Sequence, residues 1–368
     1  MTGDRPRFAV LGTGNSGQTF AADLALRGFS VNLAEVPAFE ATLRAIERRG
    51  GIELSGQAGQ GFAKLAMLTT DLPAAIRGVD VIIVGGSAHA HEPFGRALAR
   101  HFEDGQFVLF VSNFAGLRFR RWLQEAGVGT RVTPVESMSL LYATRALEPG
   151  VVSCVGVKDR LPVAALPGAR TAEFLEKIRP AFPQFVSALS VWLTSVGNLN
   201  PIVHPPMVLG NAGRIEATGG KGWNLYAEGA TEAVTRVMLA MDAERMLLLR
   251  AVSDKGITFR DAFETLYAKY ALGKQSLSET LRQSPVHGGA GLHTPGSLDC
   301  RYLTEDVPFG LVPWASIARV WGVPTPTIDA TIHLASVMLG TDLAKSGLSV
   351  RDLGIDGMSP ADVKSLLA

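Results

Sequence analysis

Cysteine is almost missing from this chain: Cys154 and Cys300 are the only two in 368 residues. They lie far apart and have no metal-ligand spacing. They supply neither a disulfide framework nor a zinc site, so the expectation is a reduced, cytoplasmic protein that holds no metal. An excess of charge is missing too. Thirty-five Lys and Arg face thirty-four Asp and Glu, for a net charge of +1, which gives no field to gather nucleic acid or an anionic membrane surface. No apolar run reaches the ~18 residues that span a bilayer, and the polar stretch Met1–Arg7 contains no signal-peptide core. What remains is 47% hydrophobic and 19% charged, a globular balance in a chain long enough for two domains.

Glycine is plentiful, with 40 residues, and three of them carry the clearest signal. Phe8–Leu11 is an apolar run. Gly12-Thr13-Gly14-Asn15-Ser16-Gly17 follows, then a helical pattern over Gln18–Arg27, a second apolar run and Glu35. A strand, G-x-G-x-x-G, a helix and an acidic residue eighteen positions after Gly17 are what a dinucleotide-binding βαβ unit requires. Gly12 allows the tight turn, Gly14 lets the main chain approach a pyrophosphate, and Gly17 lets helix and strand pack closely. The helix N-terminus at Asn15 and Ser16 offers N–H groups to phosphate. Glu35 suits ribose hydroxyls and repels a 2′-phosphate, so NAD is expected, with NADP the alternative.

The first half alternates strands (Phe8–Leu11, Ser30–Ala34, Val79–Val84, Phe107–Phe110, Val132–Pro134) with helices (Gln18–Arg27, Ala38–Arg49, Leu72–Ile76, Pro93–Arg100). Gly51–Gly56 and Phe62–Leu68 read as an inserted hairpin, and Val186–Thr194 as a last strand. Gly85-Gly86-Ser87 and Ser112–Gly116 follow strands, where loops border a cofactor or simply turn. Beyond Asn198 the pattern is helical, with Tyr226–Asp254 the longest stripe. The fold class is therefore α/β: an N-terminal Rossmann domain over 1–197 and a mainly helical C-terminal substrate and catalytic domain over 198–368.

Three further segments hold groups suited to chemistry. In Asn200-Pro201-Ile202-Val203-His204-Pro205-Pro206, the two later prolines are expected to open a helix and leave His204 near its start. Arg301-Tyr302-Leu303-Thr304-Glu305-Asp306 sets a cation beside two carboxylates. Glu136 and Tyr142-Ala143-Thr144-Arg145 follow the fifth strand. Taken with the glycine turn and the order of these motifs, nearly the whole chain resembles the opine dehydrogenase family. The resemblance implies NAD(P)H-dependent reductive condensation of a 2-oxo acid such as pyruvate with the amino group of an amino acid, by a monomer or homodimer.

It also implies that His204 and Asp306 form a catalytic pair and that Arg301 binds substrate. Glu136 and Tyr142 are further substrate-binding candidates. The types suit the task. Histidine exchanges protons near neutral pH, a carboxylate on its second nitrogen fixes the tautomer, and a guanidinium matches a keto-acid carboxylate. The plain alternatives are that Asp306 is a cap, with Glu305 competing for its role, that Arg301 pairs with Glu305, and that Glu136 caps a loop. The other six histidines are read as structural, and His287–Gly291 as a mobile loop or a lid. Two different readings compete: a ketopantoate reductase-like or glycerol-3-phosphate dehydrogenase-like enzyme, for which Lys221 and Lys255 lie in no matching motif, and a non-catalytic dinucleotide-binding protein, which has no need of His204 and Asp306.

Overall fold

The computed structural model describes residues 5–129, 132–253, 255–268, 275–289 and 294–368. Asp254, His293 and the Ala290-Gly291 end of the expected lid lie outside them. The chain divides into two compact units, one ending at Thr194 and including Ala368, the other running from Ser195 to Leu367. The division falls three residues before the expected boundary.

The first unit is built on an eight-stranded sheet. Its interior strand β1 (Phe8–Leu11) has all four side chains at most 1% exposed. That suits a parallel strand covered on both faces, where each large apolar side chain contributes about 1.5–3 kcal/mol by burial. In chain order the other strands are β2 (Val31–Ala34), β3 (Ile52–Gly56), β4 (Gly61–Ala63), β5 (Met67–Thr69), β6 (Val81–Val84), β7 (Phe107–Val111), β8 (Thr133–Ser137), β9 (Tyr142–Glu148), β10 (Val151–Val157), β11 (Leu161–Ala165) and β12 (Phe185–Ser187). The main sheet runs β12-β11-β8-β7-β6-β1-β2-β5. From β5 to β8 every pairing is parallel, while β11 is antiparallel to β8. Strand order therefore reverses beside β1, between β2 on one side and β6 on the other. Leu11 is level with Ala34 and with Val84, so Gly12, Glu35 and Gly85 leave the sheet in one row at its carboxyl edge, where such sheets bind ligand.

A second sheet, β4-β3-β10-β9, contains the expected hairpin as β3 and β4. The expected second arm, Phe62–Leu68, is two strands: Gly61–Ala63 pairs with β3, and Met67–Thr69 joins the main sheet beside β2. The expected strand Val186–Thr194 is corrected as well. β12 ends at Ser187, Leu189 adopts φ +71°, and Val191–Ser195 is a short helix. The left-handed residue breaks the extended run.

The second unit is helical. Its expected stripe over 226–254 is two helices, Leu225–Gly229 and Glu232–Val252, because the Thr231 hydroxyl accepts from the Val234 N–H and starts a new helix. Buried Arg245 holds this unit together. It pairs with Asp242 at 2.5 Å and donates to the carbonyls of Val196 and Ile257. No helix among the described residues is long and apolar enough to cross a membrane.

Candidate active site

In the first unit the glycine turn is a main-chain construction. Gly12 has φ +102°, and a Cβ on Gly17 would stand 1.9 Å from the Gly12 carbonyl oxygen. A Cβ on Gly85 would stand 2.6 Å from the Gly17 Cα, whereas one on Gly14 would meet nothing within 4 Å. Gly17 and Gly85 are thus packed backbone to backbone, and Gly14 opens onto space at the start of the helix Asn15–Leu26. The first N–H groups of that helix have no intrahelical acceptor. The cradle fits a dinucleotide pyrophosphate.

The side chains around the turn serve its shape. Glu35, 5% exposed, accepts from the Thr13 N–H at 2.7 Å, the Thr13 hydroxyl at 2.8 Å and the Val36 N–H at 2.9 Å. Both oxygens thus already hold main chain, and the carboxylate fixes the shape of the turn at the end of β2. Gln18 bridges the Thr13 carbonyl and the Gly150 N–H. The Ser16 hydroxyl donates to the Gly85 carbonyl, and the Asn15 amide oxygen accepts from the Ala146 N–H at 2.9 Å. What Ser16 can donate to phosphate is therefore its main-chain N–H, and Asn15 adds its own main-chain N–H.

Tyr142 also departs from expectation. It is 2% exposed and its hydroxyl donates to Asp23 Oδ2 at 2.7 Å, so it is not placed to bind a substrate. It is one of three rungs, which join Tyr142 to Asp23, Thr144 to Thr19 (2.7 Å between hydroxyls) and Ala146 to Asn15. Two strand residues rise about 6.8 Å and four helix residues about 6 Å, so alternate positions of β9 meet every fourth position of the nucleotide helix. Glu136 is fully buried. It accepts from the Thr194 hydroxyl at 2.7 Å and from the Gly116 N–H at 3.2 Å. It sits at the N-terminus of the helix Ala115–Glu125, where a carboxylate is favoured. The capping alternative describes Glu136; substrate binding does not.

The second unit gathers the titratable groups. His204 lies in the helix Asn200–Gly210, which opens at Asn200 with Pro201 in its first turn and encloses Pro205 and Pro206. The expected helix start at those prolines is thus five to six residues late. Asp306 follows the short helix Arg301–Thr304 and precedes a π-helical turn, Val307–Leu311. That turn seats against the His204 helix because Gly310 has no side chain; a Cβ there would stand 2.3 Å from Pro201 Cγ.

The two segments bring His204 Nδ1 to 2.7 Å from Asp306 Oδ2, with side chains 14% and 8% exposed. Burial pushes the Asp306 carboxyl above its usual range, while His204 pulls it back down. Glu305 faces Arg301 instead, at 2.6 Å from Nε, and the Arg301 side chain is 69% exposed. Its two terminal nitrogens have no hydrogen-bond partner among the described residues.

Two tyrosines complete the cluster. Tyr226 Oη lies 2.8 Å from His204 Nε2, and the Tyr302 ring stacks on the imidazole at 4.0 Å. Asn224 places Tyr226 by accepting from its N–H at 2.9 Å. Burial holds the Tyr226 hydroxyl protonated far above the usual phenol range. Tyr226 follows a capping asparagine, but nothing in its spacing marked it beforehand. His287 touches the cluster through the Tyr226 ring, 5.0 Å away. A surface groove of about 670 Å³ in the same unit, lined in part by Val312, Arg319, His333 and Asp342, contains none of these groups.

The family model described as NAD/NADP octopine/nopaline dehydrogenase, alpha-helical domain, matches residues 187–339. The opine dehydrogenase of Arthrobacter sp. (strain 1C) is 34% identical over 360 residues, covering 97% of this chain and 98% of that protein. The chain belongs to the opine dehydrogenase family. A solved octopine dehydrogenase with NADH and L-arginine has the same fold, with TM-score 0.78, 21% identity and 98% of each chain covered. Yersinopine dehydrogenase with NADP⁺ superposes at TM-score 0.67 and 17% identity over 99% of each chain. As an opine dehydrogenase, the protein is an NAD(P)-dependent oxidoreductase acting on CH–NH donors. It condenses a 2-oxo acid reductively with an amino acid. Membership sets aside the ketopantoate reductase-like, glycerol-3-phosphate dehydrogenase-like and non-catalytic readings.

Proposed function

We propose that His204 moves the protons of this reaction, that Asp306 orients it, and that Arg301 holds the keto-acid carboxylate. The observation that carries the reading is the buried His204–Asp306 contact at 2.7 Å, with Arg301 five residues before Asp306. Asp306 on Nδ1 keeps that nitrogen protonated, which leaves Nε2 to accept. The amino-acid ammonium must lose a proton before its nitrogen attacks the keto carbon. The carbinolamine hydroxyl must gain one before it leaves as water, and His204 serves both needs. Glu305 fixes Arg301 through Nε and leaves the paired terminal nitrogens for a carboxylate, a bidentate match. The bound dinucleotide supplies the hydride that reduces the resulting imine. Gly12, Gly14 and Gly17, with the N–H groups of Asn15 and Ser16, would hold its pyrophosphate.

NADH is the preferred cofactor on this reading, because Glu35 at the end of β2 sets a carboxylate where a 2′-phosphate would be repelled. The oxo acid is pyruvate, the compound named with a solved octopine dehydrogenase of the same fold. The protein works in the cytoplasm, in keeping with its two isolated cysteines, as a monomer or homodimer. The test is NADH oxidation with pyruvate across a panel of amino acids and with no amine at all. Turnover that requires an amine is the expected result; equal rates without one would overturn the condensation.

A further inference from the structure

We propose that Tyr226 is the group that touches the reacting atoms, passing each proton between the substrate and His204 Nε2. The inference rests on the site reading above and goes one atom further. Nε2 has a single lone pair, and in this structure the Tyr226 hydroxyl lies on it at 2.8 Å. A base must stand within hydrogen-bond reach of the proton it takes, so a substrate reaches His204 either by displacing Tyr226 or through it. Displacement is opposed by the packing. Tyr226 is 4% exposed, its ring lies against His287 at 5.0 Å and edge-on to His204 at 6.4 Å, and Asn224 caps its backbone.

The hydroxyl has the capacity to relay. With Nδ1 held protonated by Asp306, it donates its hydrogen to Nε2. A phenol oxygen has two lone pairs, so an oxygen that donates its hydrogen to Nε2 can still accept a substrate N–H. In the condensing direction the ammonium proton bonds to Tyr226 Oη as the hydroxyl proton passes to Nε2, and the phenol is neutral again at the end of the step. The freed amine attacks the keto carbon, and one of its two remaining protons moves to the alkoxide. The imidazolium then returns its proton through Tyr226 to the carbinolamine hydroxyl. The C–O bond breaks with its electron pair, water leaves, and a protonated imine remains. No tyrosinate accumulates, as a phenol held this firmly in its neutral form requires.

The test compares Tyr226→Phe, His204→Ala and the double variant Tyr226→Phe/His204→Ala in the full chain, with NADH, pyruvate and the best amine from the panel. Tyr226→Phe is expected to lower kcat ~10²-fold with KM values little changed. The double variant is expected to be no slower than His204→Ala alone, because residues acting as a unit are not additive.

In the cofactor-free protein, the ¹⁵N resonance of neutral His204 Nε2 should move downfield on Tyr226→Phe, as an acceptor nitrogen does when its donor is lost. Should Tyr226→Phe not fold, 3-fluorotyrosine at position 226 keeps the ring and acidifies the hydroxyl; a relay predicts a changed kcat and pH profile. An unchanged kcat with a lowered KM in Tyr226→Phe, or an unchanged profile with fluorotyrosine, would mean that Tyr226 merely fills the substrate's place, and the relay is overturned. Full activity in His204→Ala would instead overturn the site reading beneath it.

Discussion

Gly12, Gly14 and Gly17 lie within six residues of one another, whereas His204, Tyr226 and Asp306 are collected from 103. The two functional regions differ in material as well as in span. The nucleotide turn is made of main chain, and Glu35, Gln18, Ser16 and Asn15 surround it with side chains engaged in keeping its shape. The histidine cluster is made of side chains, with main chain holding them in place through the Asn224 cap, the π-helical turn and the Gly310–Pro201 approach. A main-chain site tolerates changes of chemistry and fails on added volume. A side-chain site keeps its fold through changes that abolish its chemistry.

That contrast can be broken most forcefully at Gly17. Gly17→Ala puts a Cβ 1.9 Å from the Gly12 oxygen, so folding of the first unit and NADH binding should both be lost, read by circular dichroism and NADH fluorescence. Gly14→Ala meets nothing within 4 Å. It should leave thermal stability alone and weaken only NADH binding. If the two alanines behave alike, the turn is not the backbone cradle described.

The counterpart in the helical unit is His204→Ala. Its kcat should fall ~10²–10⁴-fold with NADH affinity intact, and Asp306→Asn should fall close to it. Arg301→Ala comes next. It should raise the pyruvate KM by about tenfold or more while kcat changes less, since the contact it removes is made before the transition state. A fall confined to kcat would count against docking.

Smaller effects test side chains whose work is structural. Tyr142→Phe removes a hydrogen bond to buried Asp23 and should cost about 1.5–3 kcal/mol in urea unfolding while KM values stay put. A changed KM would return Tyr142 to the substrate site. His91 is fully buried beneath Phe110, and neither ring nitrogen has a hydrogen-bond partner among the described residues. Burial, with Arg118 and His89 nearby, lowers its pKa to about 3. The unfolded chain takes up this proton near pH 6.5 and the folded one does not, so stability is full above that pH and declines as the pH falls toward 3. The loss from this group is about 1.4 kcal/mol by pH 5.5. His91→Leu should flatten that slope, and an unchanged slope would assign it to other groups.

How much of this could be read from residues alone follows the same division. The glycine turn, the order of strands and helices, and the helical second half were legible because each is a local pattern: a spacing, a period, a run. Leu72–Ile76 forms the expected helix over the same five residues. Elsewhere local pattern misled. Met67–Thr69 looked like a hairpin arm because the strand it joins, β2, lies over thirty residues earlier. Pro205 and Pro206 looked like a helix start because a proline's preference for the first turn is statistical and the helix here begins upstream. Val186–Thr194 looked like one strand because apolar content alone does not reveal a left-handed Leu189.

By itself the sequence determined the class of fold and, through its motifs, the family. Close neighbours in the chain must adopt the conformations their own backbones allow, and a glycine-rich turn between strand and helix leaves few choices. Only the tertiary structure decided what the polar side chains do. It turned Tyr142, Glu136 and Glu35 inward to hold a helix, a helix end and a turn, and it brought Tyr226 and Tyr302 onto His204 beside Asp306. A carboxylate or a phenol bonds to whatever packing sets within about 3 Å of it. That neighbour is chosen by contacts between segments a hundred residues apart, which no local spacing records.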